Sequence, residues 1–407
     1  LAALMMSGFD ALIAAPLATI VAALIAMWTE KKNFAYILDA AITNVREITI
    51  ALFILMAAYA LAETFMSTGV GASIINMALN LGITGKTVAL RGDIDALAVI
   101  EQTGKEYASK VHGLMHACGH DSHGAMLLGA AKVLNRMKDE INGTVKLFFQ
   151  PGEEVVLGAK KMIAAGVMEG VDAIMGIHVS SDVPSGQISA DSGARMASGD
   201  MFKITVTGKG GHGARPEQCI DAVVVGSAIV MNLQPVISRE YSPFDPAVLT
   251  VGEIKSGTRF NVIAPTAVLT GTTRCYSPEV RKNFFTSITR IAKSTAEAYR
   301  ATAEVEFTEG VGPTINDDNC AALARETAAS LVGKENVVTV PPSTGGEDFS
   351  FFSNIVPGVM VKLGTGNKEK GTDFPHHHEK FDIDEDMLEV GTALYAQFAL
   401  NYLSNNK

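Results

Sequence analysis

Cysteine is scarce in this chain. Four in 407 residues, Cys118, Cys219, Cys275 and Cys320, stand far apart. They are too few and too scattered for a disulfide framework, which points to a reducing compartment. An excess of positive charge is missing as well. Thirty-three Lys and Arg against 43 Asp and Glu leave a net charge of -10 and a pI near 5.4, which excludes the basic surface that nucleic acid requires. No internal repeat or low-complexity tract is present. No basic region precedes the first apolar run, so no secretory signal is expected, and the start at Leu1 rather than Met suits a fragment or a processed form. Charged residues are few, 19% against 48% hydrophobic, which excludes a disordered tail and supplies ample core material. The length favours two or three domains over one.

Charge is most absent in residues 1–85. Residues 11–28 carry none over 18 positions, residues 48–62 none over 15, and residues 64–85 none over 22, with Glu63 between the last two runs. Crossing a bilayer takes about 20 apolar residues. Membrane-spanning helices are expected here, with buried core helices of a soluble enzyme as the competing reading. The third run, rich in Gly, Ser, Thr and Asn, suits a broken or re-entrant transporter segment.

From Lys86 the texture is that of an α/β protein. "KTVALRGDIDAL" reads as a strand entering a loop, "GAMLLGAAKVLNRMK" as a helix over 124–138, and "GTVKLFFQPGEE" as a buried strand stopped by Pro151-Gly152. "GAKKMIAAG" reads as a helix and "VDAIMGIHV" as a second buried strand, so a mostly parallel sheet is expected. Residues 190–308 change rhythm to β-α-β-β-α-β, the ferredoxin-like order, read as an inserted domain with a helix capped by Ser277 and Pro278. Strands at "NVVTV" and "GVMVKLGTG" and a closing helix from about Glu385 complete the α/β domain, residues 86–189 and 309–407.

Four features stand where strands end: "HACGHD", the tandem Glu153-Glu154, His178, and the run His376-His377-His378. Sites in open α/β sheets form at the carboxyl ends of strands. Cys118 and His120, at spacing two, can point the same way from extended backbone. Thiolate and imidazole suit zinc, and added carboxylate admits manganese. Tandem carboxylates allow one to bind metal and the other to act as general base toward water. By contrast "GKGGHG" over 208–213 lacks the GK[ST] ending of a phosphate loop. His112, His116 and His123 are left unassigned, as surface or core histidines. A metal-dependent hydrolase is the function these features favour.

"RGDIDAL", "MHACGHDSHGAMLLGAA", "QPGEE", "GIHV", "GKGGHGARP", "NVIAPTA", "GGEDFS" and "HHHEKFDIDE" together resemble, over about residues 85–405, the successive motifs of the aminoacylase-type metallopeptidases (metallopeptidase family twenty). The branch is the one with hippurate hydrolase, N-acyl-amino-acid amidohydrolases and indoleacetyl-amino-acid hydrolases. The resemblance implies two divalent ions, zinc or manganese, on Cys118, His120, Glu154, His178 and His377. It implies Glu153 as general base, with Asp93 behind the metals. It implies that 190–308 is a lid and dimerisation domain of a homodimer, from which His212 stabilises the oxyanion, often in the partner's site. Asn261 and Arg274 would bind the substrate carboxylate. The expected reaction is amide hydrolysis of N-acyl amino acids or small conjugates in the cytoplasm, with dipeptidase or carboxypeptidase action, or deacetylation, as variants of the same site.

This sequence departs from the family at Ala98, where proline is usual, and at Glu217, where histidine is common. It departs most in residues 1–85, where transporter-like segments replace the family's first strands. An inert hydrolase fused to a transporter remnant is therefore the rival expectation, and a sheet lacking strands would carry an open, destabilising edge.

Overall fold

A computed structural model describes residues 85–405. The membrane segments and transporter character expected in residues 1–85 lie outside the described residues, Gly85 apart. The first α/β stretch holds β1 (Thr87–Asp93), α1 (His120–Arg136), β2 (Thr144–Gln150), α2 (Gly158–Ala164), β3 (Ala173–Pro184), β4 (Ile188–Ser189) and β5 (Gly193–Met196). Next come β6 (Gly199–Thr207), β7 (Gly211–His212), α3 (Ala222–Pro235), β8 (Ala247–Ser256), β9 (Val262–Ile263), β10 (Thr266–Cys275), α4 (Pro278–Ala298) and β11 (Thr302–Val311). The chain closes with β12 (Thr314–Asn316), α5 (Asp318–Val332), α6 (Ser350–Ser353), β13 (Gly358–Gly366) and α7 (Met387–Asn405).

The main sheet has the order β2-β1-β3-β13-β4 and is parallel except for the short β4. Its centre is buried on both faces, as a parallel sheet requires. Val88 and Leu90 of β1 pack with α1, α5 and α7 through Leu127, Ala324 and Phe398, while Ala89 faces Phe148, Ile174 and Phe352 on the opposite side. The Tyr395 hydroxyl of α7 stitches the layers, donating to the Arg91 carbonyl at 2.6 Å and accepting from the Ile177 N–H at 3.0 Å.

The strands β6, β8, β10 and β11 form a separate antiparallel sheet in the order β11-β6-β10-β8. Phe202, Ile204 and Val206 alternate inward along β6 onto α3 and α4. The Ser277 hydroxyl accepts from the Val280 N–H and caps α4, with Pro278 behind it. Among the described residues, only Ala222–Glu240 is long and apolar enough to cross a membrane. Its buried residues Val225, Ile229 and Leu233 recur at helical spacing against the sheet, the pattern of a core helix.

Three elements differ from expectation. The first helix begins at His120, not 124, because Gly119 in a left-handed conformation (φ 84°) turns the chain directly into it. The strand with His178 runs on to Pro184, because β13 keeps pairing it through Ser180. "NVVTV" forms no strand. Val337 makes one bridge to Ile188, and β4 is two residues long, so no ladder can extend.

Candidate metal centre

The parallel strands deliver their side chains to one end of the sheet. Asp93 closes β1 and Gln150 closes β2, at the same height in register. Arg91 is level with Gly176, so His178, two residues on, stands level with the ends of β1 and β2 although it lies within β3. Glu153 and Glu154 follow in the turn after β2, Cys118 and His120 flank Gly119 at the start of α1, and His376 and His377 lie on the loop after β13. A side chain at Gly119 would place its Cβ 2.4 Å from Val179 Cγ2. Glycine there satisfies both the positive φ and the close approach.

The donor atoms of Cys118, His120 and His178 lie within 4.8 Å of one another, and so do those of Cys118, Glu154 and His377. The two groups share Cys118. Its Sγ is 3.6 Å from His178 Nε2 and 3.6 Å from His376 Nδ1. Each imidazole is oriented from behind. His178 Nδ1 is 2.7 Å from the Val179 carbonyl, which can only accept, so Nε2 is left as a lone-pair donor toward Cys118. His120 Nδ1 is 3.3 Å from Asp95 Oδ1, leaving Nε2 free. His120 Nε2 and Glu154 Oε1 are buried without a hydrogen-bond partner. Buried polar atoms are rarely left so; a cation between them would satisfy both, and the thiol, imidazole and carboxylate set fits zinc or manganese. His377 holds φ at +66°, rare for a side chain with a Cβ, and its N–H donates to the Ala117 carbonyl at 2.7 Å. Backbone strain of this kind clusters at functional sites.

Electrostatics point the same way. Burial pushes the Cys118 thiol pKa up, and Glu154 and Asp93 push it further, an arrangement that a divalent ion inverts. Burial would lower the His120 pKa, but the Asp95 hydrogen bond and the charge of Asp93 outweigh it and lift it to about 9. These surroundings call for a positive charge, as proton or metal. Burial, with Glu347 and Asp348 nearby, pushes the Glu153 carboxyl up to about 10. One guanidinium offsets this acidic crowd. Arg91, fully buried, lies 2.9 Å from Asp93, 2.9 Å from Glu347 and 3.0 Å from Asp348.

Of the expected residues, Cys118, His120, Glu153, Glu154, His178, His377 and Asp93 come together. Arg274 lines the same cavity, its guanidinium passing over Gly199 and Gly346, where a Cβ would meet Nη1 at 2.7 and 3.6 Å. His212 and Asn261 do not line it. They sit on an exposed ribbon, where β7 pairs with β9 and the Gly213 N–H donates to the Asn261 carbonyl.

Four further residues join the site. Asp95 binds His120 and also accepts from the Glu154 N–H at 3.0 Å; its place two residues after Asp93 in "DID" was the available signal. His123 spans Asp93, at 2.5 Å, and the Val179 N–H, at 2.9 Å. It is a fully buried link, the core alternative of the expectation, and its role in holding Asp93 was not assigned. His376 lies against Cys118, and Glu347 of "GGED" lies beside Glu153, its own carboxyl raised by burial to about 7.

The chain matches the family model described as Peptidase family M20/M25/M40 over residues 89–401. It is similar to Thermostable carboxypeptidase 1 of Saccharolobus solfataricus, 44% identical over 321 residues, 78% of this chain and 81% of that protein. IAA-amino acid hydrolase ILR1-like 4 of Arabidopsis thaliana is 40% identical over 78% of this chain and 73% of its own length. N-acetylcysteine deacetylase of Bacillus subtilis is 39% identical over 79% and 83%. Among solved structures, a dinuclear metal-binding peptidase of the M20 family from Bacillus subtilis superposes with a TM-score of 0.70 at 36% identity, covering 80% of this chain and 84% of that one.

Proposed function

Since this chain belongs to peptidase family M20/M25/M40, we propose that it is a metal-dependent amidohydrolase that cleaves N-acyl amino acids or small amino-acid conjugates, with Glu153 as general base. The observation that carries this reading is the pair of donor groups sharing Cys118, with the buried carboxyl of Glu153 next to the ligand Glu154. The names of the relatives, a hydrolase of amino-acid conjugates and a deacetylase, support amide hydrolysis, and the Bacillus subtilis neighbour supports two metals.

Cys118, His120, Glu154, His178 and His377 would hold the two divalent ions, zinc or manganese. When bound, such ions act as Lewis acids and lower the pKa of water from about 15.7 to about 7. Glu153 takes a proton from water onto its carboxylate and delivers it to the departing amine nitrogen. Burial among acidic neighbours raises its proton affinity in the metal-free chain, and two bound cations would lower it toward the range a general base needs. Asp95 and Asp93 hold the histidine rings in their tautomers. Arg274 presents a guanidinium fork to the amino-acid carboxylate.

His212 and Asn261 lie on the exposed ribbon and would serve the partner's site in a homodimer. There His212 donates to the oxyanion and Asn261 helps seat the carboxylate. Residues 190–308 are the lid and dimerisation domain in this reading, and 86–189 with 309–407 the catalytic domain. Phe244 and Phe260 of the inserted domain, 91% and 94% exposed, are the most exposed large apolar side chains among the described residues and would be available to a partner. For residues 1–85, membrane-spanning segments remain supported by the uncharged runs alone.

Hydrolysis of a panel of N-acyl amino acids by the purified chain, with manganese or zinc and a chelator control, tests the reading. Turnover that chelator abolishes and metal restores is expected. Turnover surviving complete metal removal would overturn it, as would none with two metals bound per chain. Carboxypeptidase action is the second reading, favoured by the 44% identical archaeal relative. It predicts faster release from peptides with a free carboxyl terminus than from N-acetyl amino acids.

A further inference from the structure

The cavity beside the ligand cluster encloses about 330 Å³, and three cations line it: Arg195, Arg274 and Lys362. They differ in what compensates them. Arg195 reaches Asp191 at 3.6 Å and the Val340 carbonyl. The side chains of Arg274 and Lys362 make no hydrogen bond or ion pair among the described residues. Asp182 attracts the Lys362 ammonium and Arg195 repels it, neither within ion-pair reach.

Lys362 lies in register with His178 across β13 and β3. Paired residues on adjacent parallel strands leave the sheet on the same face, about 4.8 Å apart. The lysine stem therefore rises beside a metal ligand, and its half-buried ammonium faces the space where a substrate sits. An unpartnered cation partly removed from water is costly to keep, and the cost is recovered when a ligand supplies the anion.

We propose that this cavity receives a substrate with two carboxylates, one on Arg274 and the second on Lys362. The inference rests on the amidohydrolase reading and narrows it to dicarboxylates. The second carboxylate comes either from an acidic amino-acid side chain or from a diacid acyl group. The Arg274 fork holds the α-carboxylate that every N-acyl amino acid carries, whereas Lys362 selects for the extra charge.

The test is calorimetric binding to the manganese-loaded Glu153→Gln protein, which holds substrate without turnover. Two pairs of near-equal shape are compared: N-acetyl-L-glutamate with N-acetyl-L-glutamine, and N-succinyl-L-alanine with N-butyryl-L-alanine. In at least one pair the dicarboxylate should bind about tenfold more tightly, the scale of one charge-assisted hydrogen bond. The ratio should fall toward one when Lys362→Met is added and persist with Lys362→Arg. The pair that discriminates tells which end carries the second carboxylate. Equal binding in both pairs, or a ratio that survives Lys362→Met, overturns the proposal. Hydrolysis of all four compounds by the unmutated enzyme is read in parallel. Its absence with the preference intact would sink the amidohydrolase reading and leave this inference standing; its presence without the preference would do the reverse.

Discussion

Asp95 supports the centre in two directions, fixing the His120 tautomer and holding the Glu154 backbone. Groups that orient metal ligands typically contribute about 10–100-fold to metal affinity. Asp95→Ala should therefore weaken manganese binding by that factor in equilibrium dialysis, with the fold intact by circular dichroism. The adjacent histidines separate by a similar experiment. His377 faces Glu154 at 3.3 Å and shares its donor group with Cys118, while His376 lies against Cys118 with its ring edge-on to His178 and tilted 4.9 Å from Phe381. His377→Ala should lower the bound metal from two ions per chain to one, and His376→Ala should keep both. The opposite pattern would move the ligand to His376. Within the triple-histidine run only a resemblance distinguished the two in sequence; the positive φ of His377 has no signature in the letters.

At the scale of elements, the loop after β13 carries these histidines, and Asp384 anchors it. Its carboxylate accepts from Ser185 at 2.8 Å and Asn367 at 2.9 Å and pairs with Lys370 at 2.5 Å. Burial alone would raise the Asp384 pKa, but these hydrogen bonds outweigh it and hold the carboxyl below the usual range. A depressed folded-state value means the anchor's contribution is complete above the ordinary carboxylate pKa of about 4 and is lost as pH falls below it. Asp384→Ala should cost about 2–3 kcal/mol at pH 7, read from urea unfolding, and the difference from the parent should shrink toward pH 3. Gly119→Ala meets both a strained φ and the Val179 methyl. It should lower stability by at least about 2 kcal/mol and depress metal binding together with it.

The strands were legible where apolar runs met turn signals, as at "GTVKLFFQ" before Pro151-Gly152. "NVVTV" misled because β propensity is realised only beside a strand long enough to pair with. The residues that gather at the candidate centre were legible because cysteine and histidine are few. Arg91 was not, because a buried arginine amid four carboxylates looks in sequence like any charged residue after a strand.

Across the whole molecule, the centre draws on residues from Asp93 to His377, and His212 is left outside the cavity of its own chain. A homodimer in which His212 crosses to the partner predicts complementation. Glu153→Gln and His212→Ala chains, each nearly inactive, should regain about a quarter of the parental activity when coexpressed, because half of the random pairs carry one intact site. No recovery, with mixed dimers present, would mean that His212 does not serve the partner's site.

In the proposed mechanism Glu153 moves the proton while its neighbours hold the metals. The most direct measurement is kcat of Glu153→Gln with bound metal determined on the same sample. Turnover reduced by about 10²–10⁴-fold with two ions still bound per chain is the predicted result. Parental turnover in that variant would contradict the account.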